Sequence, residues 1–177
     1  IVDEQGQPTG EIVSRILAHT KGIRHRTAHI WIVRRENEHF QVLMQKRAMS
    51  KDSFPGKYDT SSAGHIQAGD EPLASGLREL AEELGIHAKP EDLEFAGCIH
   101  GNFAEEFHGK IFRDNEIAFV YIYQQPVDIE TLVLQKEEVE SVRWFDLEET
   151  YRNCRNRNTQ FCAPVPGLEV VRQYLYS

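Results

Sequence analysis

The chain has little of what would tie it to an oxidising compartment, a membrane or a polyanion. Among its 177 residues there are three cysteines, Cys98, Cys154 and Cys162. The number is odd and none forms a CxxC pair, which argues against a zinc ribbon or a disulfide framework. Reduced thiols are the simplest reading, with a Cys154–Cys162 bridge as the alternative. No apolar run approaches the ~20 residues that cross a bilayer, and the longest, "AFVYIY" from Ala118, is strand-sized. The opening "IVDEQGQPTG" lacks a basic stretch followed by an apolar one, so no secretory signal is expected and a cytoplasmic location is. Positive charge is in deficit: 20 Lys and Arg stand against 28 Asp and Glu, a net charge of −8. That balance opposes a nucleic-acid polymer or an anionic membrane as main partner. Repeats and low-complexity linkers are absent too, and the length fits one domain spanning residues 1–177.

What is present is an ordinary globular composition, 40% apolar and 27% charged. "EIVSRILAHTKG" reads as a short helix closed by Gly22. "TAHIWIVRR" and "FQVLMQKR" are β-rich runs joined across the polar "ENEH", a hairpin pattern. A second hairpin is expected in "KIFRDNEIAFVYIYQQ", turning at Arg113–Asn115. "EVESVRWF" follows as a strand, "DLEETYRN" opens a helix and "GLEVVRQYLY" supplies a last amphipathic one. Hairpin-linked strands interspersed with helices imply an α+β fold, a mixed β-sheet flanked by helices in an α/β/α sandwich.

Chemistry concentrates in "SSAGHIQAGDEPLASGLRELAEELGI", Ser61 to Ile86. Asp70 as N-cap, Pro72 in the first turn and Gly85 past the last turn predict a helix between them. Leu73, Leu77, Leu80 and Leu84 make one apolar stripe. Glu79, Glu82 and Glu83 stand in the i, i+3, i+4 relation, so their carboxylates share a patch. Like charges at that spacing cost roughly 0.2–0.5 kcal/mol per pair, so on these residues alone a solvated acidic face reads as well as a ligand set. Gly64 and Gly69 flank the helix where a backbone can approach a ligand closely. Hard ions such as Mg²⁺ take carboxylate and carbonyl oxygens and share them with substrate phosphates. Arg78 can pair with Glu82 or reach back to Asp70 and brace the loop.

The segment resembles the Nudix box, G-x5-E-x7-R-E-U-x-E-E-x-G-U, with U an aliphatic residue. Gly64, Arg78, Glu79, Leu80, Glu82, Glu83, Gly85 and Ile86 match, and Asp70 stands where the family has glutamate. The resemblance implies the Nudix fold, and a Mg²⁺ or Mn²⁺ site formed by Glu79, Glu82, Glu83 and the Gly64 carbonyl. It extends to "VDEQGQPTG", "LAHTKGIRH", "QKRAMSKDSFPGKYD", "AGHIQAGD" and "DNEIAFVY", which are similar to the isopentenyl-diphosphate isomerase branch of the superfamily. That branch implies a second metal site or a hydrogen-bonded histidine cluster at His19, His25, His65, Asp114 and Glu116. It also implies a diphosphate grip by Arg47 and Lys51, for which a solvated strand end is the bland alternative. Asp114 and Glu116 lie two apart and point the same way in a strand, and His19 shares a helix face with Arg15. The isomerase cysteine, however, is here Ala63, whose methyl group does no acid–base chemistry. The box carboxylates that isomerases mostly lack are kept. The chain is therefore similar to hydrolases built on an isomerase-like frame.

The resulting expectation is metal-dependent hydrolysis of a diphosphate bond in a nucleoside diphosphate derivative or similar organic diphosphate. Glu82 or Glu116 would be the base, with Glu83 beside them in the catalytic set. The alternatives are a cysteine-free isomerase and a non-catalytic nucleotide-binding module. The partner is a small-molecule diphosphate, and a homodimer is compatible with every feature above. His29, His39, His87, His100 and His108 have no motif support and read as surface or core. Lys57, Arg152, Arg155 and Arg157 are weaker basic candidates. Tyr58, Phe103 and Trp144 offer rings for a base, though aromatics beside strands are more often core.

Overall fold

The computed structural model describes residues 1–177. Its strands are β1 (His25–Glu36), β2 (His39–Arg47), β3 (Tyr58–Asp59), β4 (Ser62–His65), β5 (Leu93–Phe107), β6 (Lys110–Tyr123) and β7 (Val139–Asp146). Its helices are α1 (Arg15–Lys21), α2 (Pro72–Leu84), α3 (Leu147–Arg155) and α4 (Val165–Tyr176). The strands form one mixed sheet in the order β3-β2-β1-β6-β5, with β4 also on β1 and β7 also on β2. Only β1 and β6 pair in parallel, which sets His25 opposite Glu116.

Burial on both faces explains why β1 is apolar without interruption over its middle. Ile30 and Ile32 join Leu43, Leu80, Leu84 and Tyr121 in the core under α2. Trp31 and Val33 join Val42, Met44, Leu147 and Leu168 in the core under α3 and α4. Helices thus cover both faces of a mixed sheet, the expected sandwich.

Two local expectations are corrected. The β5–β6 hairpin turns at His108–Gly109, whose φ values of 51° and 74° suit a two-residue turn. Arg113–Asn115 lie inside β6, paired with Ala104, Phe103 and Asn102. Asp114 is buried there, and the Asn115 amide donates to the Gly22 carbonyl at 3.1 Å, so tertiary partners outweigh their turn preference. At the start of α2 the cap position is Glu71, which makes no side-chain cap bond. Asp70 instead accepts from Arg78 Nη1 at 2.6 Å. Pro72 in the first turn and Gly85 at φ 71° fall as expected.

The sheet opens where the site lies. Residues Ile32–Glu36 of β1 pair with β2, but Thr27–Ile30 pair with β4. Beyond the same fork β2 pairs with β3 at Gln45 and Lys46. The buried Ser61 hydroxyl fills the fork, accepting from Ile32 N–H at 2.8 Å and donating to the Leu43 carbonyl. This divergence leaves room for a cavity between the strands.

All three cysteines are unbridged; Cys98 is exposed and Cys154 buried. Burial pushes the Cys154 thiol up to about 11 and raises that of Cys162 as well. Ellman's reagent is therefore expected to titrate one thiol, Cys98, quickly in the folded protein, and all three only after unfolding. A second fast thiol would contradict the burial described here.

Candidate active site

A cavity of about 490 Å³ gathers residues from α1, α2, β1, β2, β4 and β6 and from the loops after β2 and before β7. Glu79, Glu82 and Glu83 reach it from α2, and Gly64 from β4. Glu83 is 5% exposed, and its Oε2 accepts from Ser62 Oγ at 2.7 Å, Gln45 Nε2 at 3.0 Å and Ala63 N–H at 3.3 Å. Burial raises its pKa to about 7, the charge of Glu79 adds to the rise, and those hydrogen bonds only moderate it. Burial raises Glu79 too, against the opposing guanidinium of Arg78 at 3.3 Å. Arg78 ties the loop to the helix through Asp70 and through the His65 carbonyl at 3.3 Å. The shorter acid at position 70 still reaches it, and the alternative Arg78–Glu82 pair does not form. Glu82 is the exposed member of the three.

The second cluster forms on the far side. His19 Nε2 and His65 Nε2 lie 3.0 Å apart, and His19 Nδ1 and His25 Nε2 each lie 3.6 Å from Asp114 Oδ1. The backbone carbonyl of Ile23 accepts from His25 Nδ1 at 2.9 Å, which directs Nε2 inward. Donor atoms of His19, His25 and His65 lie within 4.8 Å of one another, as do those of His25, Asp114 and Glu116. Burial lowers His19 to about 4 and His65 to about 3, with nearby positive groups lowering both further. Both rings are thus neutral at pH 7, the state in which imidazole ligates a metal. His19 Nδ1, His25 Nε2 and Asp114 Oδ1 are buried with no hydrogen-bond partner. Burial and the adjacent Glu116 raise Asp114. Glu116 is lowered: its burial is outweighed by a hydrogen bond from His29 and by the charge of neighbouring histidines.

Basic groups face these acids. Arg47 Nη1 meets Asp59 Oδ2 at 3.2 Å, and its Nε donates to the Ser53 carbonyl at 3.0 Å. Lys51 pairs closely with Glu138 from the loop before β7. Both basic side chains line the cavity. Lys57 does not, and Arg152, Arg155 and Arg157 are exposed outside it. Tyr58 packs on Phe145 at 4.8 Å and Trp144 lies under Arg34 at 4.2 Å, so of the three suggested rings only Phe103 lines the cavity. His39, His87, His100 and His108 are on the surface.

Sequence reasoning passed over His29, Gln45, Ser62 and Glu138. His29 is buried with Nε2 3.3 Å from Glu116 Oε1. Its signal was the alternation His25, Thr27, His29, which puts all three on one strand face. Gln45, Ser62 and Glu138 carry no such mark, because each matters only through a partner distant in sequence.

A mixed sheet between helices, with the Gly64 strand laid against a helix that turns three carboxylates into the cavity, is the architecture of a Nudix hydrolase. The NUDIX domain family matches residues 23–161, and the chain belongs to that family. It is thus a Nudix hydrolase, an enzyme of diphosphate bonds in general terms. An uncharacterised Nudix hydrolase of Clostridium acetobutylicum is 41% identical over 157 residues, 89% of this chain and 73% of that protein. Nudix hydrolase 3 of Arabidopsis thaliana is 39% identical over 171 residues, 93% of this chain but only 21% of that protein. An isopentenyl-diphosphate Delta-isomerase of a Jannaschia strain is 28% identical over 139 residues, 76% of this chain and 71% of that protein. Among solved structures, a Deinococcus radiodurans protein superimposes with a TM-score of 0.66 at 18% identity, covering 98% of this chain and 96% of that one. The NUDIX domain of Shewanella oneidensis NrtR, solved with ADP ribose, does so at 0.60 and 16%, covering 86% and 88%. No helix of the chain is long and apolar enough to cross a membrane.

Proposed function

We propose that the cavity hydrolyses a diphosphate bond in a nucleoside diphosphate derivative or a similar organic diphosphate. Mg²⁺ or Mn²⁺ would be held by Glu79, Glu82, Glu83 and the Gly64 carbonyl. The observation that carries this reading is Glu83, buried beside Glu79 with its charge suppressed, a carboxylate pair whose cost a divalent cation relieves. Such an ion supplies charge neutralisation at the diphosphate and lowers the pKa of a water bound to it. The chain's own groups do the rest. Glu82 or Glu116 takes the proton of the attacking water at a carboxylate oxygen. Arg47 and Lys51 hold the phosphate oxygens, exchanging Asp59 and Glu138 for the substrate. Ser62, Gln45 and the Ala63 amide fix Glu83. The fold shared with a domain that binds ADP ribose supports a nucleotide-like substrate. The three free thiols fit the reducing cytosol.

The isomerase-like frame is part of this proposal. The unpartnered donor atoms of His19, His25 and Asp114 fit a second metal, with His65 and Glu116 completing the set. Ala63 favours hydrolysis over isomerisation on that frame. A screen of nucleoside diphosphates, diphosphate sugars and nucleotide cofactors with Mg²⁺ or Mn²⁺ is expected to release a phosphorylated product from at least one. Binding without turnover across the panel would favour a sensing module instead. Incubation with isopentenyl diphosphate and Mg²⁺ is expected to give no dimethylallyl diphosphate; its formation would overturn the role assigned to Ala63.

A further inference from the structure

The roof of the cavity is a ribbon without sheet neighbours. β5 and β6 pair along their length, but β6 meets β1 only from Glu116 onward. Residues 102–115 therefore project as two strands without a third, braced on α1 where Arg113 and Asn115 donate to the Thr20 and Gly22 carbonyls. Phe103 stands opposite Asp114 and Phe107 opposite Lys110, so Phe103, Phe107 and Phe112 share the ribbon face that carries Asp114. Phe54, in the loop after β2, meets this face with ring centroids 4.7 Å from Phe107 and 5.9 Å from Phe103. Its backbone has φ 47°, a left-handed conformation that bulky residues rarely adopt and that tertiary contacts must hold. Phe112 already stacks on His19 at 4.2 Å, whereas Phe103 is 38% exposed and has surface to offer. Phe54, Phe103 and Phe112 all line the cavity, and no leucine, isoleucine, valine or methionine does.

We propose that this roof selects a diphosphate bearing a planar ring, a nucleobase slipped between Phe54 and Phe103, over one bearing an alkyl chain. This rests on the diphosphate reading of the cavity. A ring sandwiched between two others needs them about 7 Å apart, twice the optimal carbon–carbon contact. The two rings now meet at 5.9 Å with their planes 57° apart, so a base enters when they turn towards parallel and part by about 1 Å. The ribbon's base is held to α1 by Arg113 and Asn115, which leaves that motion to the Phe103 side chain and the Phe54 loop. An alkyl chain would find no aliphatic wall to bury it. Phenylalanine rings present no hydrogen-bonding edge, so this contact holds any base by its face.

The test compares two non-hydrolysable probes by calorimetry in Mg²⁺: α,β-methylene-ADP, which carries a ring, and methylenebisphosphonate, which does not. Phe103→Ala and Phe54→Ala are expected to weaken the first about tenfold or more and leave the second unchanged. Phe103→Trp is expected to retain or strengthen the first. Phe103 is exposed on the ribbon, so its variants should keep the wild-type melting temperature, and Phe54→Gly controls for strain in the loop. Equal loss on both probes, or no loss on either, overturns the roof. If wild-type protein binds neither probe, the diphosphate reading itself falls.

Discussion

Glu83→Gln is expected to cut turnover severely and yet stabilise the metal-free protein above pH 7. Both effects follow from one burial. The amide keeps an oxygen for the three donors that now reach Glu83 Oε2, from Ser62, Gln45 and Ala63. It removes the negative charge, which the proposed metal needs and the bare site disfavours. The sign follows from the raised pKa of about 7. The unfolded carboxyl loses its proton near the ordinary glutamate value, whereas the folded one keeps it to about 7. Between those points the native state binds more protons, so stability falls as pH rises, and the full penalty stands above pH 7. A shift of that size corresponds to roughly 3 kcal/mol as an upper bound. Thermal melts at pH 8 without metal should show Glu83→Gln above wild type, with the gap closing towards pH 5. Mg²⁺ should raise the wild-type melting temperature and not that of the variant. Turnover should drop about 10³-fold, the several kcal/mol a metal site contributes to phosphoryl transfer. A variant that is both active and less stable at pH 8 would contradict the charge conflict at Glu83.

Much of the fold was legible because its signals are local. The uninterrupted apolar run of β1, the Leu80–Leu84 stripe and the Gly85 stop each follow from a short window. Asp114 and Glu116 follow from the resemblance to the isomerase branch, strand alternation makes them a pair, and they do face His25 together. What was not legible depends on partners far along the chain. The hairpin turn was expected at Arg113–Asn115 because the polar triplet looks like a turn. No local rule reveals that Asn115 would cap Gly22 or that Asp114 would be buried against histidines. Asp70 likewise has an N-cap's chemistry, but Arg78 claims it. His29, which reads as surface or core, is buried against Glu116, and the alternation His25, Thr27, His29 is the signal that sets it beside His25. Glu138 carries no local signal, because its partner Lys51 lies 87 positions away.

Gly64→Ala is the smallest change expected to disable the site. A Cβ at position 64 would lie 2.0 Å from Glu79 Cδ and 2.4 Å from each of its carboxylate oxygens. Atoms cannot share that space, so either β4 draws back from α2 or Glu79 leaves its position. The first weakens the β1–β4 pairing that sets Ala63 and His65, and the second removes an acid from the proposed metal set. The colliding atoms are the end of a flexible side chain, so the smaller cost is for Glu79 to swing away, at about 1 kcal/mol or less of stability. A displacement near 1 Å at reacting groups costs about 10² in rate. Gly69→Ala gives the contrast: its φ is 89°, but a Cβ there meets nothing within 4 Å. That variant should lose about 1–2 kcal/mol to strain and keep most of its activity. Adding Glu79→Ala to Gly64→Ala removes the colliding atoms, so the double variant should recover whatever stability the clash costs without regaining turnover. Melting temperatures and kcat for the three variants separate the two effects. A Gly64→Ala protein as active as wild type would mean that the strand and Glu79 do not need their close approach for catalysis.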